Sequence, residues 1–199
     1  MRLDGYGIFG VIALIALLLA SFSLLGSDEG KDARKVARIG VMLSLAIALS
    51  VMESFLPDFL LPGLRLGLAN IAVVLVLYVY GIKEGFYLAL GKAVLSSLLR
   101  GSIFSMGGFM ALSGTMLSFL GMALLRVLWK KCSPVLVSVI GALLHVSGQI
   151  LVAYIYLGVG VLGYLPFLLL ASFLTGVFVG LVAYALLRHQ TFVAYIRGK

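Results

Sequence analysis

Long apolar runs separated by short charged clusters dominate the chain, a pattern that predicts helices crossing a membrane. An ionised side chain near the bilayer centre costs about 2.5–3.5 kcal/mol on insertion scales, so charges mark where spans end. Residues 8–25 are uncharged and form one expected span. The stretch 27–38, SDEGKDARKVAR, is polar and reads as a loop. Residues 39–52 are apolar again and reach spanning length by borrowing Val36, Ala37 and Phe55, until Pro57 stops the helix. Residues 57–64 hold two prolines and a glycine yet stay apolar, which fits a lip or re-entrant segment buried against protein. Residues 66–82 form a short span with Lys83 and Glu84 as its turn, and 85–99 form another, interrupted by Lys92. Residues 101–125 make a full crossing that ends at Arg126, Trp129, Lys130 and Lys131. The block 132–187 lacks Asp, Glu, Lys and Arg and is twice too long for one helix; Gly158, Gly160, Gly163 and Pro166 mark the turn that divides it.

Composition narrows this to an all-α integral membrane fold. The 199 residues are 63% hydrophobic and 11% charged, against roughly 25% charged in a soluble domain. At about 20 residues per span there is room for about six or seven crossings and no second, soluble domain. The expected organisation is an N-terminal anchor and basic loop over 1–34, a membrane domain over 35–190 and a tail over 191–199, with no internal repeat.

The net charge of +8 reports orientation first and needs no nucleic acid. With Lys31, Arg34, Lys35 and Arg38 in the cytoplasm, alternation puts Lys83, Arg126, Lys130, Lys131, Arg188, Arg197 and Lys199 there too. Arg2, Arg65 and Arg100 then lie outside. The expected location is a bacterial cytoplasmic membrane with the C-terminus inside. On this topology residues 8–25 are an extra anchor rather than a cleaved signal, because cleavage would leave a basic stretch exported.

Unusual polar residues gather in the outward half. Glu53 ends its helix, Asp58 sits in the lip, Arg65 and Asn70 open the next helix, Lys92 lies mid-helix and Arg100 closes that helix. Three cations against two anions favour a negatively charged ligand. Lys92 at that depth demands a partner or a cavity, and Glu53 is its expected protein partner, a bound anion the other. Asp58 and Arg100 also fit plain interfacial residues that snorkel. His145 and Gln149, with Gly141 one turn earlier, share a helical face and must find hydrogen bonds, to a neighbouring helix or to a ligand. Gly40, Ser44 and Ala48 on one helix, and Gly176 and Gly180 on the last, permit close helix approach. The first set leaves the basic loop and is the better placed for a docking partner.

Other chemistry finds little support. The seven carboxylates lie mostly in loops, so clustered ligands for magnesium are not expected. A single cysteine, Cys132, excludes an internal disulfide and fits an apolar filler. A lone histidine is poor evidence for a metal. GFYLALGKA over 85–93 departs from a phosphate loop in glycine spacing and has Ala93 at the hydroxyl position, so the chain is not expected to hydrolyse ATP, and no cofactor is expected.

PGLRLGLANI (62–71), GALLHVSGQILVA (141–153) and YLPFLLLASFLTGVFVGLVA (164–183), with ALSVMESFLP (48–57) and the Ser113-Gly114 region, carry a resemblance. Across residues 36–187 the sequence resembles the Gx transporter family, also called heptaprenyl diphosphate synthase component I. That family is similar in size and helix count to the S components of energy-coupling factor uptake systems. The resemblance implies an S-component-like bundle of six helices, with the first helix an addition. The family pattern favours arginine where Lys92 stands and an uncharged residue where Arg100 stands. It brings no catalytic residues; Glu53, Arg65, Asn70, Lys92, Arg100, His145 and Gln149 as substrate-binding residues follow from their own chemistry.

The expected function is a membrane-embedded subunit capturing a small, anionic, partly apolar solute, such as a vitamin, quinone or isoprenoid precursor. Arg65 and Lys92 hold the anion, Asn70, His145 and Gln149 orient polar groups, and Glu53 fixes the lysine. A transmembrane coupling subunit and ATPases dock on Gly40, Ser44 and Ala48, and lipid is the remaining partner. The alternatives are an accessory membrane component of heptaprenyl diphosphate synthesis and a stand-alone secondary carrier.

Overall fold

The computed structural model describes residues 31–53 and 67–197. The expected span 8–25, the lip 57–64 and the candidate residues Asp58 and Arg65 lie outside the described residues. The elements are helices α1 (Lys31–Glu53), α2 (Asn70–Val79), α3 (Ile82–Leu99), α4 (Met106–Leu128) and α5 (Pro134–Leu157), a 3₁₀ turn (Val159–Tyr164), α6 (Leu165–Arg188) and α7 (Gln190–Arg197). Among the described residues there is no strand. By contacts the chain divides into 1–38 and 39–199. The described part of the first unit is the opening of α1, where Ala33 and Arg34 are exposed.

That opening corrects the loop expected over 27–38, because residues 31–38 are helical. Lys, Arg and Ala are good helix formers, so a polar segment can stay helical where its side chains reach water. Among the described residues, four helical stretches are long and apolar enough to cross a membrane: Ala33–Glu53, Met106–Leu128, Pro134–Leu157 and Val159–Arg188. The expected span 66–82 contracts to the 10 residues of α2, about 15 Å at 1.5 Å per residue. Turns at both ends cause this, with Gly67 at φ 87° and Gly81 at φ 112°. The turn therefore falls at Tyr80 and Gly81, and Lys83 and Glu84 move into the first turn of α3.

Every residue from Ala72 to Leu77 is at most 2% exposed, because a helix apolar on all sides is stable only when surrounded. Ile39, Met42 and Ala46 from α1, Leu88 and Ala89 from α3, and Phe119 and Met122 from α4 complete the core around α2. α5 packs most extensively, on α4 and on α6. Small residues allow this: a Cβ on Gly176 would meet Val139 Cα at 2.9 Å, and one on Gly180 would meet Val135 Cα at 2.6 Å. The division of 132–187 falls where expected, with Gly158 at φ 80° capping α5 and Pro166 in the first turn of α6.

The span expected over 101–125 begins instead at Met106. Residues 101–105 form a loop in which the Ser102 N–H donates to Ser97 O at 2.9 Å and the Ser105 hydroxyl donates to Ser102 O at 2.7 Å. The loop folds over Gly108, where a Cβ would meet Ser102 O at 2.1 Å.

The surface carries large apolar side chains along whole helix faces, including Leu120 and Leu124 on α4, Leu151 and Ile155 on α5, and Phe167, Leu170, Leu174, Phe178 and Leu181 on α6. Inside lie Ser96, Thr115, Ser118, Ser138, His145, Gln149 and Ser172. An apolar outside around a polar inside suits hydrocarbon as the solvent, where interior polar groups bind helix to helix.

Candidate functional site

The polar residues read from the sequence come together where the C-terminal ends of α1 and α3 meet the start of α2 and the middle of α5. Glu53, the last residue of α1, is 6% exposed, and its Oε1 accepts the Leu68 backbone N–H. The turn at Gly67 places Asn70 at the head of α2, with its N–H on Gly67 O at 2.9 Å. Lys92 lies mid-α3, 4% exposed, and its Nζ donates to Asn70 Oδ1 at 2.7 Å. The amide thus holds the ammonium. Glu53, the partner expected for Lys92, lines the same cavity.

That cavity is bounded by Ser50, Glu53, Lys92, Ser96, Thr115 and His145, with Gly67, Ala69, Ala93 and Ala111 between them. Its volume is about 10 Å³, room for about one water, whereas ligand pockets run to roughly 300–1,000 Å³. Among the described residues, the site leaves little room beyond its own side chains.

Arg100 caps α3 and ties it to α1. Its Nη1 donates to Ser50 O at 3.1 Å and Ser50 Oγ at 3.2 Å, and its Nη2 to Ser96 Oγ at 3.1 Å and Ser97 Oγ at 3.4 Å. It joins α1 to α3 just beyond the cavity, since Ser50 and Ser96 also line it. A guanidinium with four such bonds is anchored in protein rather than snorkelling.

His145 reaches the cavity wall because α4 and α5 meet backbone to backbone. A Cβ on Gly148 would lie 2.8 Å from Ser113 O, and one on Gly114 would lie 2.7 Å from His145 O and 3.2 Å from His145 Cε1. The Ser113 hydroxyl donates across this contact to Gly148 O at 3.0 Å. Gln149, 1% exposed, lies one turn further on, against Gly114, and does not line the cavity.

Sequence reading missed Ser50, Ser96, Ser97 and Thr115. A signal for two of them was present, since Lys92, Ser96 and Arg100 follow one another at four-residue spacing and share one face of α3. Ser50 is three residues before Glu53 on α1. Thr115 had no such signal.

The proposed docking face is open to the surroundings: Ser44 and Ala48 are exposed, and a Cβ on Gly40 would meet nothing within 4 Å. The Ser44 hydroxyl donates back to Gly40 O at 2.9 Å within its own helix. Among the described residues, no three His, Cys, Asp or Glu side chains are grouped so as to hold a metal ion.

An apolar exterior, helices of spanning length and a buried polar cluster around Lys92 define an all-helical membrane protein with a polar internal site. The sequence profile of heptaprenyl diphosphate synthase component I matches residues 42–186, and the chain belongs to that family. The match includes Glu53, Asn70, Lys92, Arg100, His145 and Gln149 and leaves out residues before 42. No curated protein and no solved structure matches the chain.

Proposed function

We propose that this chain is a membrane-embedded substrate-binding subunit that takes up a small anionic, partly apolar solute and relies on separate ATPase subunits for energy. The observation that carries this reading is Lys92, a lysine 4% exposed halfway along a helix, held by Asn70 at 2.7 Å and facing a cavity shared with Glu53, His145 and Thr115. A cation in such a place is costly unless a partner or ligand answers it, and an anion in this cavity would be answered by Lys92 and by the hydroxyls of Ser50, Ser96 and Thr115, with His145 on the α5 side. The cavity holds about one water, so binding requires it to widen. The C-terminus is placed in the cytoplasm by the positive-inside rule.

Native mass spectrometry of gently extracted parent and Lys92→Met protein tests the reading. We expect a co-purifying small anion in the parent and its loss in the variant. Equal retention in both would remove the anion site.

The family match favours a second reading, an accessory membrane component of heptaprenyl diphosphate synthesis that presents or receives a lipid. Purified protein incubated with allylic diphosphate, isopentenyl diphosphate and magnesium separates the two. Chain elongation by this protein alone would reverse their order.

A further inference from the structure

At the end of the bundle away from Lys92 a groove of about 450 Å³ runs between the ends of α2 and α6, the start of α5 and helix α7. Its walls are apolar, formed by Val79, Pro134, Leu187 and Val193, and its polar edge is Tyr78, Tyr184 and Arg188. Tyr78 is already engaged: its hydroxyl donates to Cys132 O at 2.7 Å, and the Arg126 guanidinium sits 4.1 Å over its ring. Tyr184 and Arg188 are exposed, and among the described residues neither side chain has a hydrogen-bond or ion-pair partner.

Charge at this end is one-sided. Lys83, Arg126, Lys130, Lys131 and Arg188 gather at the helix ends here, while the described carboxylates of 39–199 are Glu84, which is buried, and Glu53, at the opposite end. Helix α7 lies across the same end with Ile196 buried and its carbonyl accepting the Tyr80 hydroxyl, while Gln190 and Thr191 face outward. An amphipathic helix of that kind sits in the plane of the membrane–water boundary. The groove therefore opens where hydrocarbon gives way to headgroups, and its parts match that change: apolar walls beside a free guanidinium.

We infer that this groove seats one anionic phospholipid, with its phosphate on Arg188 and Tyr184 and an acyl chain along Val79, Leu187 and Val193. A guanidinium matches the geometry of phosphate oxygens with paired N–H donors, and basic pockets between transmembrane helices take anionic headgroups. The site is separate from the Lys92 cavity and does not depend on the reading given to that cavity.

The test uses the full chain, delipidated in detergent, given phosphatidylglycerol or phosphatidylcholine, and read by native mass spectrometry. We expect one phosphatidylglycerol retained per chain with a preference of about tenfold over phosphatidylcholine, a difference equal to about 1.4 kcal/mol. Arg188→Gln should abolish the preference. So should Val193→Trp, which fills the groove and leaves the charge in place. Lys83→Gln, at the same end but outside the groove, should keep it. Helicity and melting of Arg188→Gln should match the parent, since Arg188 is exposed and makes no side-chain bond. Retention unchanged in Arg188→Gln, or lost equally in Lys83→Gln, would overturn the site. Displacement by inorganic phosphate would overturn the lipid as its occupant.

Discussion

Lys92 Nζ and Asn70 Oδ1, 22 residues apart in the chain, meet at 2.7 Å in the interior and tie the middle of α3 to the first residue of α2. A hydrogen bond to a charged group contributes about 1.5–3 kcal/mol, and a buried group deprived of its partner costs about as much. Asn70→Leu should therefore destabilise the folded protein by about 1–3 kcal/mol. Adding Lys92→Met to it should restore part of the loss, because the charge that lost this acceptor is then gone. Thermal melts of the parent, both single variants and the double variant give the coupling. Independence of the two substitutions would refute the pairing.

Arg100 bonds α1 at Ser50 and α3 at Ser96 and Ser97. Arg100→Met should loosen the end of α1 and cost about 1–3 kcal/mol. Hydrogen exchange of residues 47–53 should rise while α5 and α6 stay as protected as in the parent. Unchanged exchange in that segment would mean that α1 is held there by something other than Arg100.

The α4–α5 contact leaves no room at Gly148, where a Cβ would stand 2.8 Å from a backbone oxygen that cannot swing aside. Gly148→Ala should cost about 1–3 kcal/mol, the range for overpacking, and should displace His145 from the cavity wall. Gly160→Ala, where nothing lies within 4 Å, is the matched control and should be close to neutral. Comparable melting of the two variants would disprove the close approach.

The two ends of the bundle should face opposite sides of the membrane. Cys132 should give little background in thiol labelling, because burial raises its thiol above the ordinary value, outweighing the nearby Arg126 and the Ser133 backbone hydrogen bond. A raised thiol stays protonated at neutral pH, and only the thiolate reacts, so its labelling should climb only as pH rises through that elevated value. In a Cys132→Ser background, a membrane-impermeant maleimide added to intact cells should label Phe104→Cys, an exposed position on the loop before α4, and spare Lys131→Cys. The reverse pattern would invert the topology.

Much of the cavity was legible beforehand because charge in hydrocarbon is rare and therefore conspicuous. Glu53, Asn70, Lys92 and His145 stand out in apolar runs, and all four are buried at this site. Ser50 and Ser96 left only a faint spacing signal and Thr115 none, since serine and threonine are tolerated in membrane helices and their hydroxyls often bond to the preceding turn of backbone. The loop expected over residues 27–38 failed over 31–38 for a related reason: polarity fixes where a segment meets water and leaves open whether it is helical there.

What the sequence by itself determined is the solvent and the all-helical class, because transfer of side chains into hydrocarbon is a local cost that adds along the chain. It also marked the turn after Gly158, where backbone geometry is set by glycine and proline. Tertiary structure alone decided that α2 contracts to a buried central rod, that Asn70 Oδ1 lies 2.7 Å from Lys92 Nζ, and that Arg100 binds Ser50, Ser96 and Ser97. Those outcomes depend on which helices are neighbours and how closely their backbones approach, and contact between residues far apart in the chain leaves no mark in the local order of amino acids.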